Sequence, residues 1–319
     1  MNPDFLSSAD SYRIQKTLQA PLSFKGIGLH TGAKTSIRCH PAPANCGIVF
    51  LKTDLKTPAR IPAHFDAVIS TQMATSLGYH DNKDVRIHTV EHLLSALFAL
   101  GVTNALIEID GSEIPILDGS AAPFIEGIRE TGLVLQTYSA PTLRILKPVK
   151  VYQEGTICEL LPRDRLRLTT SIDFPHPSIG PQTYALELTP KSFEEEVCRA
   201  RTFGFFSDVE RLRKNNLALG ADLSNVLAFS KDGVVNKEGM RFADECVRHK
   251  LLDAIGDLAL CGAWIEGELV SFRGGHHIHY KLLKSLSQFP NHWELVKAAP
   301  IVKTMPITAA MQQPQPLRN

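Results

Sequence analysis

Three short runs of this 319-residue chain place imidazole and carboxylate side chains close enough together for hydrolytic chemistry. The first is His88-Thr89-Val90-Glu91-His92, where a histidine able to bind a metal sits beside a carboxylate able to act on metal-held water. The second is His249-Lys250-Leu251-Leu252-Asp253, with Asp257 beyond it. Positions i, i+4 and i+8 put His249, Asp253 and Asp257 on one helix face, and a His and an Asp one turn apart can share a metal. The third is Arg273-Gly274-Gly275-His276-His277, a glycine turn that lets backbone approach a ligand, followed by side chains that titrate near neutrality. Taken singly, each run has an ordinary reading: a helix start where Glu91 favours the macrodipole, a helix-surface His–Asp pair, a turn histidine. Together they supply three protein ligands for a catalytic zinc, a base for the attacking water and an acid for a leaving amine, which is the set an amide hydrolase needs.

Two metal arrangements fit these residues. In one, His92 joins His249 and Asp253, with Glu91 and His276 beside the ion. In the other, His88-x-x-Glu91-His92 is the inverted zinc-protease motif, with His88 and His92 binding from one helix and a distant carboxylate as third ligand. The second arrangement leaves His249, Asp253 and His276 without a task. A third reading is a non-catalytic module for a sugar nucleotide or lipid, against which an intact Glu91 and His276 stand.

The elements that must position these residues follow from periodicity. Residues 89–100 read as a helix, since Val90, Leu93, Leu94, Leu97 and Phe98 recur at helical spacing and Gly101 stands at its end. Residues 242–261 read as a long amphipathic helix closed by Gly262. Short runs at 35–39, 47–52, 65–69 and 105–109 predict strands, and Asp118-Gly119-Ser120 leads into a short helix ending near Gly132. The second half restarts with strands at 143–152, 156–161 and 165–172. Ser192 and Glu195 give a capping-box signal for a helix through about Ala200. A strand at 264–272 meets the glycine turn, and a helix runs from about His276 to Phe289. Strands followed by helices in each half predict an α+β fold with antiparallel-rich sheets. A polar, Pro-bearing seam at 136–141 divides 13–136 from 141–290; residues 1–12 read as a leader and 291–319 as a partly disordered tail.

Composition narrows the classes further. Hydrophobic residues at 44% and charged residues at 21% are ordinary for a globular chain. A net charge of +1 gives no electrostatic footprint for nucleic acid. No apolar run approaches the ~18 residues of a membrane span, and an N-terminus carrying Asp4 and Asp10 lacks the apolar stretch of a signal peptide. Six cysteines with no C-x-x-C pair predict a reducing, cytoplasmic setting. A monomer is expected.

Over residues 13–289 the chain resembles the UDP-3-O-acyl-N-acetylglucosamine deacetylases. The resemblance rests on Thr89-Val90-Glu91-His92-Leu93, on Arg248-His249-Lys250-Leu251-Leu252-Asp253-Ala254-Ile255-Gly256-Asp257 and on Gly275-His276. It extends to Gly26-Ile27-Gly28-Leu29-His30-Thr31-Gly32, Glu113-Ile114-Pro115-Ile116-Leu117-Asp118-Gly119-Ser120-Ala121 and Ala200-Arg201-Thr202-Phe203-Gly204. It implies two similar two-layer α/β sandwiches with the site in the cleft between them. It also implies release of acetate from UDP-3-O-acyl-N-acetylglucosamine, the committed step of lipid A synthesis. Zinc would be held by His92, His249 and Asp253, with Fe2+ able to replace it in the cell, and His88 would not be a ligand. Glu91 would be the base and His276 the acid, giving a bell-shaped pH–rate profile. Lys250 and Asp257 would support the transition state and orient the acid, and Thr202 would help hold the oxyanion. Phe174 and Arg273 match a clamp on the uracil, and Phe203 joins them in substrate binding. Residues 205–235 match an acyl-chain passage that Leu217, Leu219, Leu223 and Val226 could line. Met73-Ala74-Thr75 falls on a loop near the metal, where the residues depart from the family pattern. His277 and His279 lie outside the motif.

Overall fold

A computed structural model of the chain describes residues 12–301; most of the expected leader, and the tail from 302 onward, lie outside the described residues. Two five-stranded sheets form the framework. The first comprises β1 (Leu22–Ile27), β2 (Lys34–Pro41), β3 (Ile48–Lys52), β4 (Ala59–Pro62) and β5 (Ala105–Asp110), in the order β1-β2-β5-β3-β4. The second comprises β6 (Val149–Gln153), β7 (Thr156–Leu161), β8 (Arg167–Phe174), β9 (Gly180–Glu187) and β10 (Glu268–Phe272), in the order β6-β7-β10-β8-β9. All neighbours are antiparallel except β3–β5 and β8–β10. The two halves therefore repeat one topology, in which two hairpins precede a strand that returns between them.

A parallel pair needs a long crossover, and in each half that crossover contains the helix that matters. They are α1 (Glu91–Ala99), followed by α2 (Ala122–Thr131) after β5, and α3 (Glu245–Ala259), followed by α4 (His276–Ser285) after β10. Each crossover also carries a small three-stranded sheet, built from Val68–Ser70, Ser76–Tyr79 and Asn82–Ile87 in the first half. Its counterpart in the second half is Phe203–Phe205, Leu227–Ser230 and Gly233–Val234. The fold is thus α+β with antiparallel-rich sheets and two similar halves.

Several expected boundaries shift for identifiable reasons. Residues 65–69 are not one strand: Phe65–Ala67 form a 3-10 turn capped by His64, whose Nδ1 accepts from the Asp66 N–H, and the strand is Val68–Ser70. The expected 143–152 strand splits into Thr142–Ile145 and β6 around Pro148, which has no N–H for a ladder. The expected 264–272 strand divides at Gly267 and changes sheets there. Trp264–Glu266 pairs with Thr142–Ile145, whereas β10 pairs with β7. A Cβ on Gly267 would lie 2.8 Å from Ile145 and 3.2 Å from the Leu161 carbonyl. The capping box begins three residues before Ser192: Thr189 is the N-cap of Pro190–Glu196, and Ser192 returns the reciprocal bond in place of a Glu. Leu133–Ser139 pairs with Ile14–Leu18, and Trp293–Val296 pairs with Thr142–Ile145.

The core joins the halves. Leu93, Leu94 and Leu97 of α1 and Leu251, Leu252, Ile255 and Leu258 of α3 are all buried in one cluster, each contributing about 1.5–3 kcal/mol. The two helices approach so closely that a Cβ on Gly256 would stand 2.1 Å from the Glu91 carbonyl oxygen. Gly256→Ala is accordingly expected to lower stability in urea denaturation by about 1–3 kcal/mol. An unchanged midpoint would mean that the helices are not held at this separation.

Candidate active site

The approach to α1 is fixed before its first turn. Thr89 adopts a left-handed backbone (φ 59), which for a β-branched residue costs on the order of 1–3 kcal/mol. Its hydroxyl donates to Glu113 Oε1 at 2.8 Å. The same buried carboxylate accepts from His30 N at 2.9 Å, Thr31 N at 2.8 Å and Thr31 Oγ1 at 2.7 Å. Gly28 leaves room for it, since a Cβ there would lie 2.2 Å from Glu113 Oε2. Two sequence runs, 26–32 and 113–121, thus converge on the residue that turns the chain into α1.

His92, on the first turn of α1, meets His249 and Asp253 of α3. One donor atom from each lies within 4.8 Å of the others, and all three residues are buried. Asp253 Oδ1 is 3.3 Å from His249 Nε2 and 3.8 Å from His92 Nε2. The Ala200 carbonyl accepts from His249 Nδ1 at 3.0 Å, so that nitrogen carries the proton and Nε2 keeps its lone pair. Burial, then the neighbouring His249, holds His92 down at about 3; burial likewise lowers His249. Both rings are therefore neutral, the form that ligates. For Asp253 burial raises the pKa, but His249, Lys250, His276 and His92 outweigh it and keep the carboxylate ionised. Lys250 Nζ donates to Asp253 Oδ2 at 2.6 Å, leaving Oδ1 on the side of the histidines. Two neutral imidazoles and one carboxylate, buried and convergent, fit a divalent cation of the zinc type.

Glu91 and His276 flank this group. Glu91 Oε2 accepts from Thr75 N at 3.1 Å, and Oε1 lies 3.6 Å from His276 Nε2. Burial pushes Glu91 up to about 7 against the pull of His276. His276 would be lowered by burial, but Asp257 and Glu91 more than compensate and raise it to about 9. Asp257 accepts from His276 Nδ1 at 2.9 Å and from Thr75 Oγ1 at 2.6 Å. It remains ionised because those imidazole partners outweigh its burial. The arrangement holds a carboxylate able to take a proton and an imidazolium able to give one, on adjoining sides of the ligand group.

The remaining candidates spread outward. Lys250 lies over the Phe203 ring at 5.8 Å, and that ring is 6.3 Å from His249. Thr202, next to the Arg201 that follows Ala200, is pinned by donation from its N–H to the Gly119 carbonyl at 2.8 Å. Phe174 packs on Phe203 at 5.3 Å and Phe205 at 5.8 Å. Arg273 is exposed and lines a cavity of about 370 Å³ with Met73, Gly275, His276 and His277. Among the described residues no cation–π contact joins Arg273 to Phe174. Of the four passage residues, Leu217 lines a cavity with His30, while Leu219 and Leu223 are exposed. Three residues were given no role by the sequence: Thr75, which bonds both Glu91 and Asp257; Glu113, quoted only as part of the 113–121 run, which holds Thr89; and His279, which bonds Asp257.

The inverted zinc-protease arrangement is overturned. His88 is not on α1; it forms a bridge with Glu113, the left-handed Thr89 separates it from the helix, and its Nδ1 meets Ser76 Oγ at 2.7 Å. The histidine partner of His92 is His249.

A family model described as UDP-3-O-acyl N-acetylglycosamine deacetylase matches residues 15–288. Three proteins named UDP-3-O-acyl-N-acetylglucosamine deacetylase are similar over most of the chain. The one from Idiomarina loihiensis is 43% identical over 92% of this chain and 96% of its own length. That from Histophilus somni is 41% identical over 88% and 92%, and that from Myxococcus xanthus 42% identical over 89% and 90%.

The geometry separates the two histidines near residue 90. Elemental analysis of purified variants should find bound metal retained in His88→Ala and lost in His249→Ala; the reverse pattern would contradict the ligand group.

Proposed function

The chain belongs to the UDP-3-O-acyl N-acetylglycosamine deacetylase family, and from that premise we propose that it is a zinc enzyme. It hydrolyses the acetamide of UDP-3-O-acyl-N-acetylglucosamine to UDP-3-O-acyl-glucosamine and acetate, a step of lipid A biosynthesis. The observation that carries this reading is the convergence of His92, His249 and Asp253, with a carboxylate, Glu91, next to His92 in the chain and an imidazole, His276, 3.6 Å from that carboxylate. When bound, zinc supplies a Lewis acid that polarises the acetamide carbonyl and makes water more acidic. Fe2+ suits the same donors where it is more available.

The protein's own groups divide the proton traffic. Glu91 removes a proton from the attacking water. As the C–N bond breaks, His276 gives its Nε2 proton to the glucosamine nitrogen, which would otherwise leave as a poor anion. Asp257 keeps Nδ1 protonated and so aims Nε2 at the reacting side. Lys250 keeps its charge because Asp253 offsets the cost of burial, and with the Thr202 hydroxyl it favours the oxyanion; one such donor is worth roughly 3–4 kcal/mol. Phe174, Phe203 and Arg273 fit recognition of the uridine end, with Arg273 standing free at the mouth of the cavity beside His276. Met73 borders the same cavity, and the insert at 205–235 suits an acyl chain. Six unpaired cysteines agree with a cytoplasmic setting.

Acetate release from UDP-3-O-acyl-N-acetylglucosamine tests the reading. Glu91→Gln and His276→Ala should each lower kcat by about 10²–10⁴-fold, and a strong chelator should abolish activity that zinc restores. The profile should fall on the alkaline side as His276 loses its proton near 9 and on the acid side as Glu91 is protonated. His276→Ala should lose the alkaline limb. A metal-replete wild type that releases no acetate would refute the assignment.

A further inference from the structure

The carboxylate that holds His276 also holds a second imidazole, and nothing in the reaction as described above uses it. His279 lies three residues along α4 from His276 and is 1% exposed. Its Nδ1 is 2.8 Å from Asp257 Oδ2, the same oxygen that accepts from His276 Nδ1 at 2.9 Å. Its Nε2 is 3.1 Å from Ser271 Oγ on β10. The surrounding backbone is shaped to this pair, since a Cβ on Gly274 would stand 1.9 Å from Ser271 Oγ and 3.0 Å from His279 Nε2. With Thr75 Oγ1 on Oδ1 at 2.6 Å, Asp257 is held from both oxygens.

A carboxylate oxygen shared between two N–H donors gives less of its charge to each, and every added donor makes it a weaker base toward the others. Fixing both oxygens also removes the carboxylate's freedom to rotate. We propose that His279 is a positioning residue for the deacetylation. Through Asp257 it locks the orientation of His276 and moderates the grip of the carboxylate, so that His276 parts with its proton to the leaving nitrogen more readily than it would if it had Asp257 to itself. Ser271 holds the far side of the His279 ring and keeps its Nδ1 on Asp257.

The inference rests on the deacetylase reading, in which His276 is the acid. Other charged or titratable groups face His276 from each neighbouring element: Glu91 and His92 from α1, Asp253 and Asp257 from α3, and His30 from the Gly28–Gly32 turn. Of these groups it is Asp257 that bonds His279, so a shift in the alkaline limb reports the change at Asp257.

The test compares zinc-loaded wild type, His279→Leu and His279→Asn in acetate release from UDP-3-O-acyl-N-acetylglucosamine across the alkaline range. His279→Leu should lower kcat about tenfold, leave KM within about twofold and displace the alkaline limb upward. His279→Asn returns an N–H donor to Asp257; it should recover most of kcat and bring the limb back, with zinc content equal in all three. A folded His279→Leu protein with wild-type kcat and an unmoved limb overturns the proposal, leaving His279 as core filling. If the Leu variant does not fold, Ser271→Ala decides, because it releases the far side of the His279 ring: in NMR of histidine-labelled protein the His276 Nδ1–H signal should move, and a stationary His276 signal overturns the proposal. A wild type that releases no acetate fails the deacetylase reading and this inference with it, whereas an active wild type with an indifferent His279 removes this inference alone.

Discussion

Where α1 crosses α3, no side chain fits between the two backbones: Gly256 lies against the Glu91 carbonyl at a distance that excludes even a methyl group. That crossing decides what else the molecule can be. Each half of the chain builds the same sheet and sends one helix through its crossover, and neither helix alone carries a full ligand set. His92 comes from one, His249 and Asp253 from the other. Only when the halves are packed do the three donors meet, so a metal held by them would couple its affinity to the folding of the interface. The glycine sits about one turn beyond Asp253 on the helix, so a change in helix separation would act on the proposed ligands.

Around this crossing the protein buries an unusual density of charge. Glu91, Asp253, Asp257, His276 and their partners lie within a few ångströms of one another, and each is arranged so that its cost of burial is met differently. Asp253 is shared between Lys250 and the histidines. Asp257 is met by two imidazoles and a hydroxyl. Glu91 has a backbone N–H and an imidazole 3.6 Å away, and of the three it is the carboxylate whose burial is not outweighed, so its pKa is raised. A group meant to take and give up a proton should be incompletely satisfied, and groups meant to hold others in place should be saturated. The three carboxylates divide in the way their proposed roles require.

Much of this was legible from residue types and spacing. The spacing of His249, Asp253 and Asp257 alone puts them on one face of a helix over 242–261, and α3 has them there. The α+β class followed from strands preceding helices in each half, and the family resemblance added the pairing of the halves. Information that depends on contacts across the fold was not legible. His88 spells out a zinc-protease motif with Glu91 and His92, yet a left-handed Thr89, held by a carboxylate from a distant loop, takes it off the helix. Glu113 had no legible role because its four hydrogen bonds come from residues far away in sequence. Thr75 and His279 carry no motif, and what marks them is a contact made across the fold, Thr75 with Glu91 and Asp257 and His279 with Asp257. Strand ends moved where Pro148 and Gly267 divert the chain between sheets, an outcome that local alternation cannot report.

X-ray absorption at the zinc edge of the metal-loaded protein measures the central claim most directly. The account predicts light-atom donors only, at about 2.0–2.1 Å, with the outer-shell scattering of two imidazole rings. A sulfur shell near 2.3 Å, or the signature of a single imidazole, would place the metal elsewhere and contradict it.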